Sequence, residues 1–540
     1  MSRFLLIKYI YYFDYRKTFE NAVTYREFII KRKMNMNAIS KRLLSAVLSS
    51  VICLSVFACG KEDGSTDAQG IYGGEAVVGI TQEPMIFDPF TVEAAGDKEI
   101  LFNVYEGLMK FDHEGHLNPC LATDYTISDD ATQYTFTLRE GVLFHDGSEL
   151  DAGDVIYSLT RASELNPELS AISSVTDNGD NTVTVTLDAP NSEFLSYFTS
   201  AIIPEGSGET IGDTRIGTGP FVFESYEPGI GIVLTRNENY WNPELPYLDK
   251  VTFKVCADMD AGLIELNGGS IDIFPYLTAD KAAQLDPSQF NIQTLGSNMI
   301  QGLFLNNAVA PFDDVRVRQA VNYAINRTDI IDLIMNGQGL ELTTAMSPVM
   351  GDAYDTALDG TYSQDIDRAL ELLADAGYAD GFDMTITVPS NYLIHVNTAV
   401  AIADQLSQVG INVSIEQVDW ATWLDRVYAG RDYQSTIIAL TSDYAPFDVI
   451  NRYHSAADNN FINYSNPDVD RLIEQIPLTP GEDERIGMYR ELLGYMTEDA
   501  ASCYIQDPYS MCAVASRLEG YELYPMYVQD MSTVHLVSAD

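Results

Sequence analysis

From residue 315 onward, apolar spacings of helical period at 315–326, 366–377 and 397–410 alternate with short β-branched runs at 384–388, 412–417 and 435–440. Helices set between strands build βαβ units, so this part of the chain is constrained to a largely parallel sheet covered by helices. The earlier part has another texture. Residues 75–80 read as a strand and 94–110 as a helix. After them QYTFTLR at 133–139 and NTVTVTLD at 181–188 alternate apolar and polar side chains between Asp, Asn and Gly, the pattern of strands joined by turns. Two more strands are expected at 232–236 and 250–256. The break near residue 303 is a candidate lobe boundary, and no internal repeat crosses it.

Ahead of this pattern lies a segment that is not fold. Lys41 and Arg42 precede an apolar run over 43–58, which is followed by Cys59. A basic start, a short apolar stretch and a small residue before the cut describe a secretory signal, too short for a stable membrane span. VFACG at 56–60 resembles a bacterial lipobox, which implies that Cys59 becomes a lipid-bearing N-terminus, tethered by the polar stretch 59–70. Residues 1–33 are atypical ahead of a signal, so translation is expected to begin at Met34 or Met36, with the signal over about 34–58. No second apolar run is long enough to span a bilayer.

Charge excludes further classes. The chain carries 79 Asp and Glu against 31 Lys and Arg, and 10 of the basic residues fall within 1–58, so the remainder is close to −55. Phosphate contacts need clustered Lys and Arg, so no nucleic-acid partner is expected. Six cysteines include Cys53 and Cys59 of the leader. Cys120, Cys256, Cys503 and Cys512 form no CxxC pair. A bond between Cys503 and Cys512 and buried free thiols both fit the sequence.

Catalysis needs a constellation, and none stands out. His113 and His116 lack the i, i+4 spacing of a helical metal pair, so a solvated turn is expected and no metal or cofactor is assigned. GTGP at 217–220 lacks the third glycine and the helix of a dinucleotide loop. Paired acids such as Asp129 with Asp130 follow from abundance alone. The protein is expected to have no catalytic residues and to be no enzyme.

An ordered series of short stretches carries a family resemblance. NVYEGLMKFD at 103–112, YTFTLREGVLFHDG at 134–147, AGDVIYSL at 152–159 and GTGPF at 217–221 are followed by RNENYW at 236–241, GGSID at 268–272 and PFDDVRVRQAVNYAI at 311–325. Together they resemble the bacterial extracellular solute-binding proteins of family 5, the oligopeptide, dipeptide and nickel receptors of ABC importers, over residues 75–515. Scaffold roles are expected for these stretches themselves, with Arg316 and Arg318 in packing and capping.

The resemblance implies an α/β, two-lobed periplasmic-binding-protein-like fold of type II with an extra inserted subdomain. Lobe I is expected over 71–95, 205–302 and 510–540, the inserted subdomain over 96–204 and lobe II over 303–509. The implied function is capture of a peptide in a closing cleft and delivery to an ABC permease, by a monomer anchored through its N-terminal lipid on the outer face of the cytoplasmic membrane. Asp443, in TSDYAP at 441–446, falls where peptide-binding members hold the ligand's ammonium group, with Thr441 beside it and Trp420 as a cleft aromatic. Glu83, Pro84 and Met85 lie in TQEPMIFDP at 81–89, which resembles the segment that pairs with bound peptide like an added strand. STIIAL at 435–440 and PSNYLIH at 389–395 lack the basic residue that relatives offer to a peptide's carboxylate. Longer peptides, a nickel complex or an oligosaccharide therefore stay open as the solute, and a sensor or chaperone-like surface lipoprotein is the alternative from another class.

Overall fold

The computed structural model describes residues 70–92, 94–441 and 445–537. Cys59 and the leader therefore lie outside the described residues, as does Asp443. The expected strands form close to their sequence positions, as Glu75–Ile80, Gln133–Leu138, Thr182–Leu187, Gly231–Arg236, Lys250–Val255, Phe382–Pro389, Ile411–Val418 and Ser435–Thr441. Alternation is realised in the four-stranded antiparallel sheet of Ala122–Ile127, Gln133–Leu138, Thr182–Leu187 and Ile172–Asp177. There Tyr134, Phe136, Val183 and Val185 point inward against Val155 and Leu159 of the helix Ala152–Leu165 and against Phe194 and Phe198.

Two expectations need correction. The helix read over 94–110 ends at Leu101, and Met109–Phe111 is a strand. Tertiary contacts override the helical spacing here. Asn103 donates through Nδ2 to the carbonyl of Gln529 at 2.7 Å and accepts the Met531 amide at 2.9 Å. Glu106 is buried and accepts hydrogen bonds from Tyr240 Oη (2.7 Å), Trp241 Nε1 (3.0 Å) and Thr218 Oγ1 (3.0 Å). The glycines of GTGP allow this convergence: a Cβ on Gly217 would stand 2.0 Å from the Val104 carbonyl oxygen, and one on Gly219 2.5 Å from that of Asn103. Three of the sequence motifs thus meet on one buried carboxylate, which is a scaffold role.

The second correction concerns the later sheet. Phe382–Pro389 runs parallel to Ile411–Val418 and to Ser435–Thr441, but the next strand, Met299–Leu305, is antiparallel to Ser435–Thr441. Antiparallel pairing continues from Met299–Leu305 to the 13-residue strand Cys503–Ala515. These two strands are no part of the βαβ succession, because one enters from the other half of the molecule and the other leaves into it.

Cys503–Ala515 belongs to both halves. Cys503, Tyr504 and Gln506 face Met299–Leu305, while residues 509–515 pair with Phe290–Gly296 and residues 513–514 with Ile273–Phe274. Beyond Ile273–Phe274 follow Glu75–Ile80, Lys250–Val255, Gly231–Arg236 and Phe221–Glu227, the first two parallel. Cys503 and Cys512 lie nine residues apart on this strand, about 30 Å at roughly 3.3 Å per residue. A bond between them is excluded, and all four described cysteines are free and buried.

The chain passes between the halves at Ser297–Asn298 and again at Asp507–Pro508, and one carboxylate joins the two passages. Asp507, fully buried, accepts the amides of Ser297 (2.9 Å), Asn298 (3.0 Å) and Met299 (3.1 Å), with the hydroxyls of Ser297 (3.1 Å) and Ser347 (2.6 Å). Burial pushes this carboxyl above the usual range, and the five donors act against that shift. Gly296 makes room, since a Cβ there would stand 2.8 Å from Asp507 Oδ2. Asp507→Ala leaves three amides and two serine hydroxyls short of an acceptor, and is expected to cost about 3 kcal/mol or more in urea unfolding. A loss below about 1 kcal/mol would show that the carboxylate does not hold the crossing.

Candidate functional site

The strand Ser435–Thr441 ends at Thr441, which is exposed and stands opposite Met299, the residue whose amide Asp507 holds. The strand's end is therefore tied directly to the passage between the halves. Beside it a short helix, Trp420–Thr422, begins on Asp419, whose carboxylate accepts the Thr422 amide at 3.0 Å. It continues as a π-helical turn over Trp423–Ala429.

Trp420 and Trp423 stack with ring centroids 5.1 Å apart and planes 4° from parallel. Trp423 is 2% exposed and donates through Nε1 to Thr436 Oγ1 at 2.9 Å, which pins the stack to the strand. Trp420 is only partly buried, and Tyr392 meets its ring edge-on at 5.5 Å. Offset-stacked and edge-to-face rings are the favoured aromatic geometries, so the indole of Trp420 is held from two sides. Trp420 thus offers a fixed aromatic face, and Trp423 belongs to the core.

At the strand end a small recess is lined by Ile300, Ala345, Leu440 and Thr441 together with Val449, Arg452 and Tyr453. Tyr453 is buried, and its hydroxyl accepts from that of Tyr504 at 3.3 Å. A polar layer also crosses the sheet interior nearby. Gln506 Nε2 donates to Gln301 Oε1 at 2.7 Å, and Gln301 Nε2 lies 2.9 Å from His395 Nδ1. Desolvation lowers the His395 pKa to about 4, so this imidazole is neutral and works as a structural acceptor.

The other expected residues stand in the other half. Glu83 accepts from Tyr226 Oη at 3.0 Å and from the Gly229 amide, Pro84 is buried, and Met85 is 81% exposed. The amides of Met85 and Ile86 donate to the buried carboxylate of Asp97 at 2.8 and 3.2 Å. Arg215 stacks on Phe87 and Phe223 at 4.6 and 4.5 Å, and Arg161 pairs with Asp88 at 3.1 Å. The segment is therefore fixed along its length. The amides of residues 85 and 86 are thus already taken and are not open to an added strand.

Thr441 and Trp420 are thus brought together through Trp423 and Thr436, and Glu83, Pro84 and Met85 form a second group. Among the described residues no hydrogen bond or ring contact joins the two groups. Sequence reasoning missed Tyr392 and Asp97. Tyr392 sits inside the 389–395 stretch, which was read only for a basic residue, and the partners of Asp97 are backbone amides of residues 85 and 86, which leave no side-chain pattern. His113 and His116 are exposed on a turn beside Asp112 and Glu114. No group of side chains among the described residues is arranged to hold a metal ion.

The family profile described as Bacterial extracellular solute-binding proteins, family 5 Middle, matches residues 116–461. Heme-binding protein A of Haemophilus influenzae is 26% identical over 532 residues, which span 89% of this chain and 96% of that protein. Glutathione-binding protein GsiB of Escherichia coli O1:K1 / APEC is 30% identical over 360 residues, 64% of this chain and 70% of that protein. Among solved structures, the ABC transporter-associated periplasmic binding protein DppA from Helicobacter pylori in complex with peptide STSA superposes with a TM-score of 0.65 at 26% identity. The match covers 88% of this chain and all of that one. The two-lobed α/β architecture, the motifs gathered on Glu106 and a profile match over more than half of the sequence agree: the chain belongs to family 5 of the bacterial extracellular solute-binding proteins.

Proposed function

We propose that the protein is the substrate-binding lipoprotein of an ABC importer and that it captures peptides. The observation that carries this reading is the strand end at Thr441, with the Trp420 face fixed beside it and bound to the passage between the halves through Met299 and Asp507. A solute held there meets a rigid aromatic wall in lobe II, residues 303–509. The Glu83–Met85 segment of lobe I, residues 71–95, 205–302 and 510–540, supplies carbonyl acceptors from the opposite half. The inserted subdomain is 96–204. Closure about the two passages buries the solute, and no bond is made or broken. The relative crystallised with a peptide supports this solute class. Asp443 takes the peptide's ammonium group, and lipid on Cys59 keeps the receptor near its permease on the outer face of the membrane.

Mass spectrometry of material released on denaturing the purified protein is expected to yield peptides. With such a peptide, Asp443→Ala should weaken binding tenfold to hundredfold in calorimetry, since loss of a charge-assisted hydrogen bond costs about 1.5–3 kcal/mol. N-acetylation should weaken wild type similarly and change the variant little. Unchanged affinity in Asp443→Ala removes that residue from the site.

Three tryptophans allow an optical test. Ligand should change the emission of Trp420, while Trp423 is already dry and Trp241 is held on Glu106 far along the chain. Trp420→Phe is expected to remove most of the change while retaining binding. Survival of the full signal in that variant, with its loss in Trp241→Phe, places the site elsewhere.

For the anchor, Cys59→Ser should leave the protein unprocessed or released from membranes. Equal membrane retention at equal mature mass contradicts lipidation.

A further inference from the structure

The four-stranded sheet is fastened to the half that holds Glu83, because the buried Glu106, in the segment leading into that sheet, accepts hydrogen bonds from Thr218, Tyr240 and Trp241. It moves with that half. Its last segment, Ser192–Thr199, buries Phe194 and Phe198 in the sheet's own core and meets the half that holds Trp420 through Ser192 and Glu193. Ser192 is fully buried and donates through Oγ to the Ile476 carbonyl at 3.0 Å. Glu193 accepts from Tyr489 Oη at 2.6 Å on one oxygen, and Arg485 Nε stands 2.6 Å from the other. These two charged side chains are only 11% and 12% exposed. Burial pushes the Glu193 carboxyl up, and Arg485 and Tyr489 act against that shift. Arg485 is held in turn by the carbonyls of Thr479 and Pro480 at 3.0 and 2.8 Å, and Tyr489 and Ile476 share a core with Trp423. Among the described residues this is the one ion pair between residues 96–204 and residues 303–509.

The pair is made in an arrangement in which the two walls stand apart. Met85 is 81% exposed, Thr441 is exposed, and no hydrogen bond or ring contact joins their groups among the described residues. We propose that Glu193, Arg485 and Tyr489 form a latch that holds the walls apart, which a solute must break to draw the halves together. The inference rests on the reading that the cleft closes, and it is independent of which solute closes it.

Turning about the joint at Asp507 displaces every contact that lies away from it. Phe111 and Met526 also pack against the core around Trp423, but apolar contacts adapt to a shift of side chains. A charge-assisted hydrogen bond of fixed length and angle does not. Both charges regain water once parted, so the net hold is modest and a solute can overcome it. An empty receptor is thereby kept open for loading and from presenting the closed shape without cargo.

The test places spin labels on Ile230→Cys and Leu393→Cys in the full mature protein and reads their separation by double electron–electron resonance. Ile230, 61% exposed, follows Gly229, whose amide donates to Glu83; Leu393, 57% exposed, follows Tyr392, which meets Trp420. The label distance therefore shortens as the walls approach, and the described native cysteines are buried. Without peptide, the short distance is expected to be about tenfold more populated in Glu193→Gln than in wild type, and severalfold more in Tyr489→Phe, which keeps its ring in the core. Calorimetric affinity for a set of tripeptides to pentapeptides should tighten by the same factor, because apparent affinity scales with the competent fraction. Circular-dichroism melts check folding, and Tyr489→Phe decides if Glu193→Gln does not fold. Unchanged distances in both variants, or a shift to longer ones, overturns the latch. If no peptide shortens the distance in wild type, closure on peptides fails instead, and the ligand-free distances still decide the latch.

Discussion

One buried carboxylate sets the geometry on which everything else in the molecule depends. Asp507 collects three successive backbone amides and two hydroxyls at the place where the chain changes halves. Each of those donors would be an unmet cost in a dry interior, and together they make the two passages a single joint instead of two independent linkers. Motion about this joint is confined to torsions on either side of it. The strand end at Thr441 rides on the same joint through Met299, so the position of the site follows the relation of the halves.

The two parts of the candidate site are built on different principles. On one side, Trp420 is fixed by stacking and by an indole N–H bond one layer down, so its face is rigid yet still wet. On the other, the 81–89 segment is tied by charges: Asp97 holds its amides, Arg215 its aromatic ring and Arg161 its aspartate. Both walls are thus ordered in advance, and binding against either costs little in ordering it.

Much of this was legible in the sequence where local pattern decides structure. The alternating runs at 133–139 and 181–188 are strands because each buries every second residue against one core. Legibility ended where distant residues meet. The apolar spacing of 94–110 suggested one helix, but Asn103 and Glu106 are claimed by residues more than a hundred positions away. The later sheet read as largely parallel because local alternation carries no information about the two strands that arrive from elsewhere. Family resemblance found Trp420 and Trp423 together, and only the coordinates separate the wet indole from the buried one.

The strand Cys503–Ala515 has a consequence for the timing of folding. The core containing Val78 and Val251 also needs Cys512, Val514, Tyr521 and Leu536, and the core containing Leu303 and Ile437 needs Cys503 and Ile505. Neither half can complete its sheet until the last tenth of the polypeptide has emerged from the ribosome. Ala76 and Val78 share one core with residues more than 400 positions later, and the loop between them must close first, so these two sheets are completed late. A chain that must cross a membrane before it works is thereby kept threadable through most of its synthesis, by topology alone.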